Sequence, residues 1–115
     1  MAVTIYHNPR CSKSRQTLAL LQDKGVEPEI VEYLKNPPSH ETLSQLLDQL
    51  GLEPRELMRR NEAVYKELEL KDPALDRKAL INAMVENPIL IERPIVTCGT
   101  KAALGRPPEA VLDIL

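Results

Sequence analysis

Ten prolines are spread along 115 residues. Proline removes a backbone donor and is excluded from helix interiors, so these positions cut the chain into short elements. They punctuate the chain and do not cluster into a linker. Before the first proline pair, Val3, Ile5 and Tyr6, closed by Asn8-Pro9, read as a buried strand. Ser12 to Lys24 reads as a helix with Leu18 and Leu21 on its inner face. Gly25 stands where a helix C′ residue belongs, Pro28 follows, and Glu29-Ile30-Val31-Glu32-Tyr33 supplies a second strand.

Asn36-Pro37-Pro38-Ser39 ends this βαβ opening. Ser39 is placed to cap a helix whose Leu43, Leu46, Leu47 and Leu50 follow the i, i+3, i+4, i+7 pattern, with Gly51 as its stop. Pro54 starts a short helix through about Arg60, and Asp76 caps another, with Leu80, Ile81 and Met84 apolar, ended by Asn87-Pro88. Pro94 to Cys98 and Lys101 to Leu104 read as strands around Gly99-Thr100, a pair suited to a type II′ turn. Pro107-Pro108 opens a last amphipathic segment with Val111, Leu112 and Leu115 apolar. The order βαβ, helices, ββα predicts an α/β fold with a mixed sheet, its first two strands parallel and its last two antiparallel. That is the thioredoxin-like layout: a single domain over 1–115 with a helical insertion at about 37–88 between its halves.

Hydrophobic residues at 43% and charged residues at 28% are globular values, and a formal net charge of −2 supplies no positive field for nucleic acid. Three tyrosines without Phe or Trp leave an aliphatic core and little with which to stack bases. No apolar run is long enough for a membrane span and no leader pattern opens the chain, so a cytoplasmic protein is expected, with a monomer as the default. Two cysteines are too few to staple a scaffold, so a thiol that matters here does so by reactivity.

Cys11 falls at or just before the N-terminus of the first helix, where unpaired N–H groups and the helix dipole favour a thiolate. Arg10, Lys13 and Arg15 add positive charge beside it. Ser14 stands where a C-x-x-C pair would have its second thiol, so no local disulfide closes, although a hydroxyl there is placed to hydrogen-bond the thiolate. A Cys-x5-Arg phosphatase loop is absent, because Thr17 and Leu104 occupy the sixth positions after Cys11 and Cys98. His7-x3-Cys11, with only the distant His40 and Cys98 as further soft ligands, does not make a metal site. His7 reads either as a base or partner to the thiolate or as a hydrogen-bonded surface histidine. Arg59, Arg60, Arg93 and Arg106 each read singly as solvated charge, but together they suit an oxyanion clamp, because the guanidinium fork binds tetrahedral anions bidentately.

Tyr6-His7-Asn8-Pro9-Arg10-Cys11-Ser12-Lys13-Ser14-Arg15, Arg55-Glu56-Leu57-Met58-Arg59, Ile91-Glu92-Arg93-Pro94-Ile95-Val96 and Gly105-Arg106-Pro107-Pro108 together resemble the glutaredoxin-coupled arsenate reductases of the ArsC type. The short YfgD-like branch is the nearest likeness. The resemblance implies a thioredoxin-like fold and a nucleophilic Cys11 in a loop with His7, Ser14 and Arg15. It also implies oxyanion-binding Arg59, Arg93 and Arg106, and a cis-proline at Pro94. It further implies arsenate as substrate, reduced to arsenite through a Cys11–arsenate adduct, with glutathione as co-substrate, glutaredoxin as partner, and no bound cofactor or metal. Longer members continue past the last helix, so any contact made there is expected to be missing, and Cys98 is expected to be a small strand hydrophobe. Two alternatives share the scaffold. One is a reductase of another oxyanion or of a glutathionylated protein; the other is a binding protein like the Spx-type transcriptional regulators, whose C-x-x-C pair Ser14 breaks.

Overall fold

The computed structural model describes residues 2–115, which form two compact units: 2–36 together with 93–115, and Pro37–Glu92. In the first unit β1 (Val3–His7), α1 (Ser12–Asp23) and β2 (Glu29–Glu32) make the βαβ opening, and β3 (Ile95–Cys98) and β4 (Lys101–Leu104) make the closing hairpin. The sheet order is β2-β1-β3-β4. β1 runs parallel to β2 and antiparallel to β3, with Tyr6 opposite Ile95, and β3 runs antiparallel to β4, with Ile95 opposite Leu104. This is the expected thioredoxin-like mixed sheet. Gly99 has a φ of 61° and Thr100 is not among the residues with positive φ, which is the type II′ pattern.

The core of this unit is aliphatic. Ile5 of β1, Leu21 of α1, Val96 of β3 and Val111 near the C-terminus are fully buried, with Val3, Leu18, Val26, Ala103 and Ile114 packed against them. Each such side chain contributes about 1.5–3 kcal/mol by leaving water. Val111 lies in a 3₁₀ stretch, Pro108–Ile114, which packs on α1 and β4 where the sequence pattern suggests an amphipathic helix. The inner face of α1 starts with two buried hydroxyls, Ser14 and Thr17, before turning apolar at Leu21. Thr17 is satisfied by donating to the Lys13 carbonyl at 2.8 Å.

In the second unit Ser39 caps α2 (His40–Leu50) by accepting the Thr42 N–H, and Asp76 caps α4 (Arg77–Glu86) by accepting the Ala79 N–H. Each cap contributes about 1 kcal/mol. Leu43, Leu46 and Leu47 of α2 and Leu80, Ile81 and Met84 of α4 are buried, as their spacing requires. Arg77 ties the two helices by donating to Asp48 Oδ1 at 3.0 Å and to the Ser44 carbonyl at 3.1 Å.

Two features depart from the sequence reading. The helix expected from Pro54 to about Arg60 is a 3₁₀ turn over Pro54–Leu57, because Met58 becomes extended and bridges Ile91. The Arg59 N–H donates to Leu90 and the Glu92 N–H to Leu57, both at 2.7 Å. α4 ends at Glu86, at the Asn87-Pro88 stop read from the sequence, and this pairing carries the unit on through a 3₁₀ turn at Pro88–Leu90 to Glu92. A short α3 (Ala63–Glu67) also forms without a sequence signal, since none of its residues is buried and no apolar stripe marks it. No helix among the described residues is long and apolar enough to cross a membrane.

α1 and α2 are followed by Gly25 and Gly51 with φ of 78° and 69°, the left-handed conformation that ends helices. α3 ends in the same way but without glycine. Glu69 has a φ of 53°, its N–H donates to Lys66, and the Leu70 N–H donates to Tyr65, both at 3.1 Å. A side chain in this conformation costs about 1–2 kcal/mol, part of which glycine would return as chain entropy. Glu69→Gly should therefore raise stability by about 0.5–1 kcal/mol in urea unfolding. An unchanged or lower midpoint would contradict the assignment of strain to Glu69.

Candidate active site

The β1–α1 connection is folded by its own polar groups. The Cys11 N–H donates to the Asn8 carbonyl at 3.0 Å, and the Arg15 N–H donates to the Cys11 carbonyl at 3.0 Å. Asn8 is buried and its Oδ1 accepts the Arg10 N–H at 3.0 Å. Cys11 is the N-cap of α1 in extended conformation. Ser14 is completely buried; its Oγ accepts the Asn8 N–H at 3.0 Å and lies 2.6 Å from His7 Nδ1. His7 is buried too, and burial pushes its pKa below the ordinary value. Glu32, opposite it on β2, pulls the other way, and Arg15 adds to the lowering. With the imidazole neutral, the pair is satisfied when the Ser14 hydroxyl donates to Nδ1.

These facts relocate two expected contacts. His7 is an interior group next to Ser14, not a surface histidine. The Ser14 hydroxyl is engaged by His7 and Asn8, and what Ser14 offers the thiol is its backbone N–H. Burial alone would raise the Cys11 pKa. The Ser14 N–H, the Arg93 side chain, the Lys13 N–H and the charge of Arg93 outweigh it, and the thiol sits below its ordinary value. Arg93 provides the charge that bears most on the sulfur, ahead of Arg10, Lys13 and Arg15. The Arg15 guanidinium instead donates to the Pro9 carbonyl at 2.9 Å and braces the loop.

Arg93 reaches the thiol from the residue pair that leads into β3. Burial works against its charge, while Cys11 and the hydroxyl of buried Tyr33 hold it on and raise its pKa further. Arg106 arrives from the end of β4: its Nε donates to the Arg93 carbonyl at 2.9 Å, and its Nη2 lies 4.0 Å from Cys11 Sγ. The peptide bonds Arg93–Pro94 and Arg106–Pro107 are both cis. Gly105 makes this approach possible. Its N–H donates to the Pro94 carbonyl at 3.0 Å, and a Cβ there would collide with Thr17 Oγ1 and come within 2.7 Å of Pro94 Cγ.

Arg59 belongs to the second unit, where its Nη1 donates to Glu92 Oε1 at 3.1 Å and its Nε lies 3.7 Å from Glu62 Oε1. Arg60 donates to the Arg55 carbonyl at 3.3 Å. Cys98 is buried at the end of β3 opposite Val3, so β1 separates it from Cys11, which follows the other end of that strand.

The sequence model of the ArsC family matches residues 6–114. The chain belongs to the ArsC family. It is 60% identical to the YfgD protein of Escherichia coli (strain K12), over 98% of this chain and 96% of that one. It is 49% identical to an arsenate reductase of Rhizobium meliloti (strain 1021), over all of this chain and 82% of that one. Among solved structures, an arsenate reductase from Vibrio cholerae superposes with a TM-score of 0.98 at 57% identity, covering all of this chain and 98% of that one.

In this ArsC-family chain, Cys11, Arg93 and Arg106 are brought together, with His7 and Ser14 directly behind them. Asn8, Tyr33, Glu62 and Glu92 are partners that the sequence reading missed. Asn8 was visible only as a turn residue before Pro9, and nothing in the sequence pairs Tyr33 with Arg93 or Glu92 with Arg59. The lowered Cys11 pKa sets a pH profile: because the charged form is favoured, the thiolate persists to lower pH than for a free thiol. Alkylation by iodoacetamide should reach its plateau below the range of an ordinary cysteine, and Arg93→Gln should move the midpoint upward. A midpoint that ignores Arg93 would remove that guanidinium from the account.

Proposed function

We propose that this ArsC-family protein is a thiol-dependent arsenate reductase with Cys11 as its nucleophile. The observation that carries the reading is the convergence on one sulfur of two backbone N–H groups and two guanidiniums. A site that stabilises a thiolate in this way also accepts the charged oxygens of a tetrahedral anion. Arg93 and Arg106 hold those oxygens, and Arg59 enters through the family motif alone. That two relatives carry the name arsenate reductase supports arsenate as the anion.

The Cys11 thiolate attacks arsenic, forming an S–As bond as one oxygen leaves with a proton as water or hydroxide. The arginines hold the charge that moves between oxygens during this step. Ser14 has no thiol and Cys98 lies beyond β1, so the electrons come from outside. A glutathione thiolate attacks the Cys11 sulfur; an S–S bond forms, the S–As bond breaks, and its electron pair stays on arsenic, which leaves as arsenite. Glutaredoxin then takes the glutathione from the mixed disulfide and restores the Cys11 thiolate. The two thiols supply the two electrons. A reducing compartment such as the cytoplasm suits this cycle, and it needs neither a bound cofactor nor a second subunit.

The decisive assay follows arsenate-dependent NADPH oxidation with glutathione, glutaredoxin and glutathione reductase. Wild type should turn over and Cys11→Ser should not. Arg93→Ala, Arg106→Ala and Arg59→Ala should each lower kcat/KM for arsenate by about a hundredfold. Turnover by Cys11→Ser would overturn the mechanism. Absence of wild-type turnover with Cys11 still reactive would reassign the site to a different oxyanion.

A further inference from the structure

α1 opens against its own dipole. No acidic residue stands in its first turn, while Arg10, Lys13 and Arg15 crowd the positive end, an arrangement that disfavours the helix. α2, by comparison, carries Glu41 in its first turn. Arg15 is compensated by the Pro9 carbonyl. The Arg10 and Lys13 side chains are exposed and make no hydrogen bond or ion pair among the described residues. They also do not provide the charge that dominates at the Cys11 sulfur, which comes from Arg93. Two exposed cationic side chains therefore flank Cys11 without a hydrogen bond to its sulfur among the described residues. Such a placement fits an anion whose charges lie several bonds from the atom that reacts.

We propose that Arg10 and Lys13 are specificity residues for the second thiol. They select an acidic small thiol whose carboxylates lie remote from its sulfur, and steer that sulfur to Cys11. The assignment rests on the reading of Cys11 as a thiol that passes through a mixed disulfide, but it does not depend on which oxyanion is reduced. Arg93 and Arg106 serve the group bonded to the sulfur, and Arg10 and Lys13 serve the molecule that attacks it. Attraction between exposed charges acts on the encounter rate and weakens as salt screens it.

Thiol–disulfide exchange in the forward direction tests this without arsenate. The Cys11 thiolate attacks one sulfur of a symmetrical disulfide, forms a mixed disulfide, and expels the other half as a thiolate, so electrons balance with no further reductant. The probes are glutathione disulfide, neutral hydroxyethyl disulfide and cationic cystamine, with the rate of mixed-disulfide formation on the intact protein read by mass spectrometry. Differences in disulfide reactivity, and any change in Cys11 itself, cancel when the glutathione-to-hydroxyethyl rate ratio of a variant is divided by that of wild type. For Arg10→Gln/Lys13→Gln the ratio should fall about fivefold at low ionic strength and the cystamine rate should rise; in wild type the ratio should fall as salt is added. Lys24→Gln, at the other end of α1, should leave it unchanged. An unchanged ratio in the double variant, an equal fall in Lys24→Gln, or slowed exchange only with a protein disulfide would each overturn the assignment. Failure of arsenate turnover alone would leave this result intact and would bear only on the substrate.

Discussion

The antiparallel pairing of β1 with β3 is the constraint on which the site depends. Tyr6 opposes Ile95, so the end of β1 that leads to Cys11 and the start of β3 that follows Arg93 lie at one edge of the sheet. β4 then runs back beside β3, with Leu104 opposite Ile95, and delivers Arg106 to the same edge. A parallel β1–β3 pair would have sent the Cys11 thiol and the two guanidiniums to opposite ends. The parallel β1–β2 crossover adds α1, whose first N–H groups point at the sulfur.

The chemistry of that edge is arranged in layers. Nearest the sulfur are two backbone N–H groups and Arg93, fixed by the helix start and by Tyr33. Behind them the His7–Ser14–Asn8 cluster supports the loop from inside, satisfying each buried polar group with another. This is why the inner face of α1 starts with hydroxyls although hydrophobic periodicity alone would have placed aliphatics there. Leu21 restores the apolar stripe two turns later, where the helix reaches the core of Ile5, Val96 and Val111.

Much of this was legible before the structure. The strand–helix–strand opening, the capped helices at Ser39 and Asp76, the Gly99-Thr100 turn and the position of Cys11 at a helix start all follow from local chemistry acting over a few residues. The departures come from longer-range contacts. Pro54 signals a helix start correctly, but Met58 is drawn into a bridge with Ile91, which lies more than thirty residues on, and the helix stops after one turn. α3 shows no stripe because none of its residues is fully buried. Ser14 serves the thiol through its backbone N–H and not its hydroxyl for the same reason: a serine three residues after a cysteine is equally able to face the thiol or the interior, and the choice is made by His7 at the end of β1. Arg59 likewise reads as a free cation until Glu62 and Glu92 are seen beside it.

Arg93 and Arg106 stand six residues from the Gly99-Thr100 turn, one on each side. They continue the β3–β4 register beyond its last pair, and the bonds from Gly105 to Pro94 and from Arg106 to the Arg93 carbonyl trace that continuation. Side chains in a ladder alternate between faces, so gain or loss of one residue at the turn would transfer one of these arginines to the other side of the sheet. A surface loop at the far end of the hairpin, distant from the Cys11 thiol, thus acts as the ruler for the spacing of Arg93 and Arg106. Its length is constrained by the spacing of two guanidiniums, and insertions that most surface turns tolerate are closed to this one.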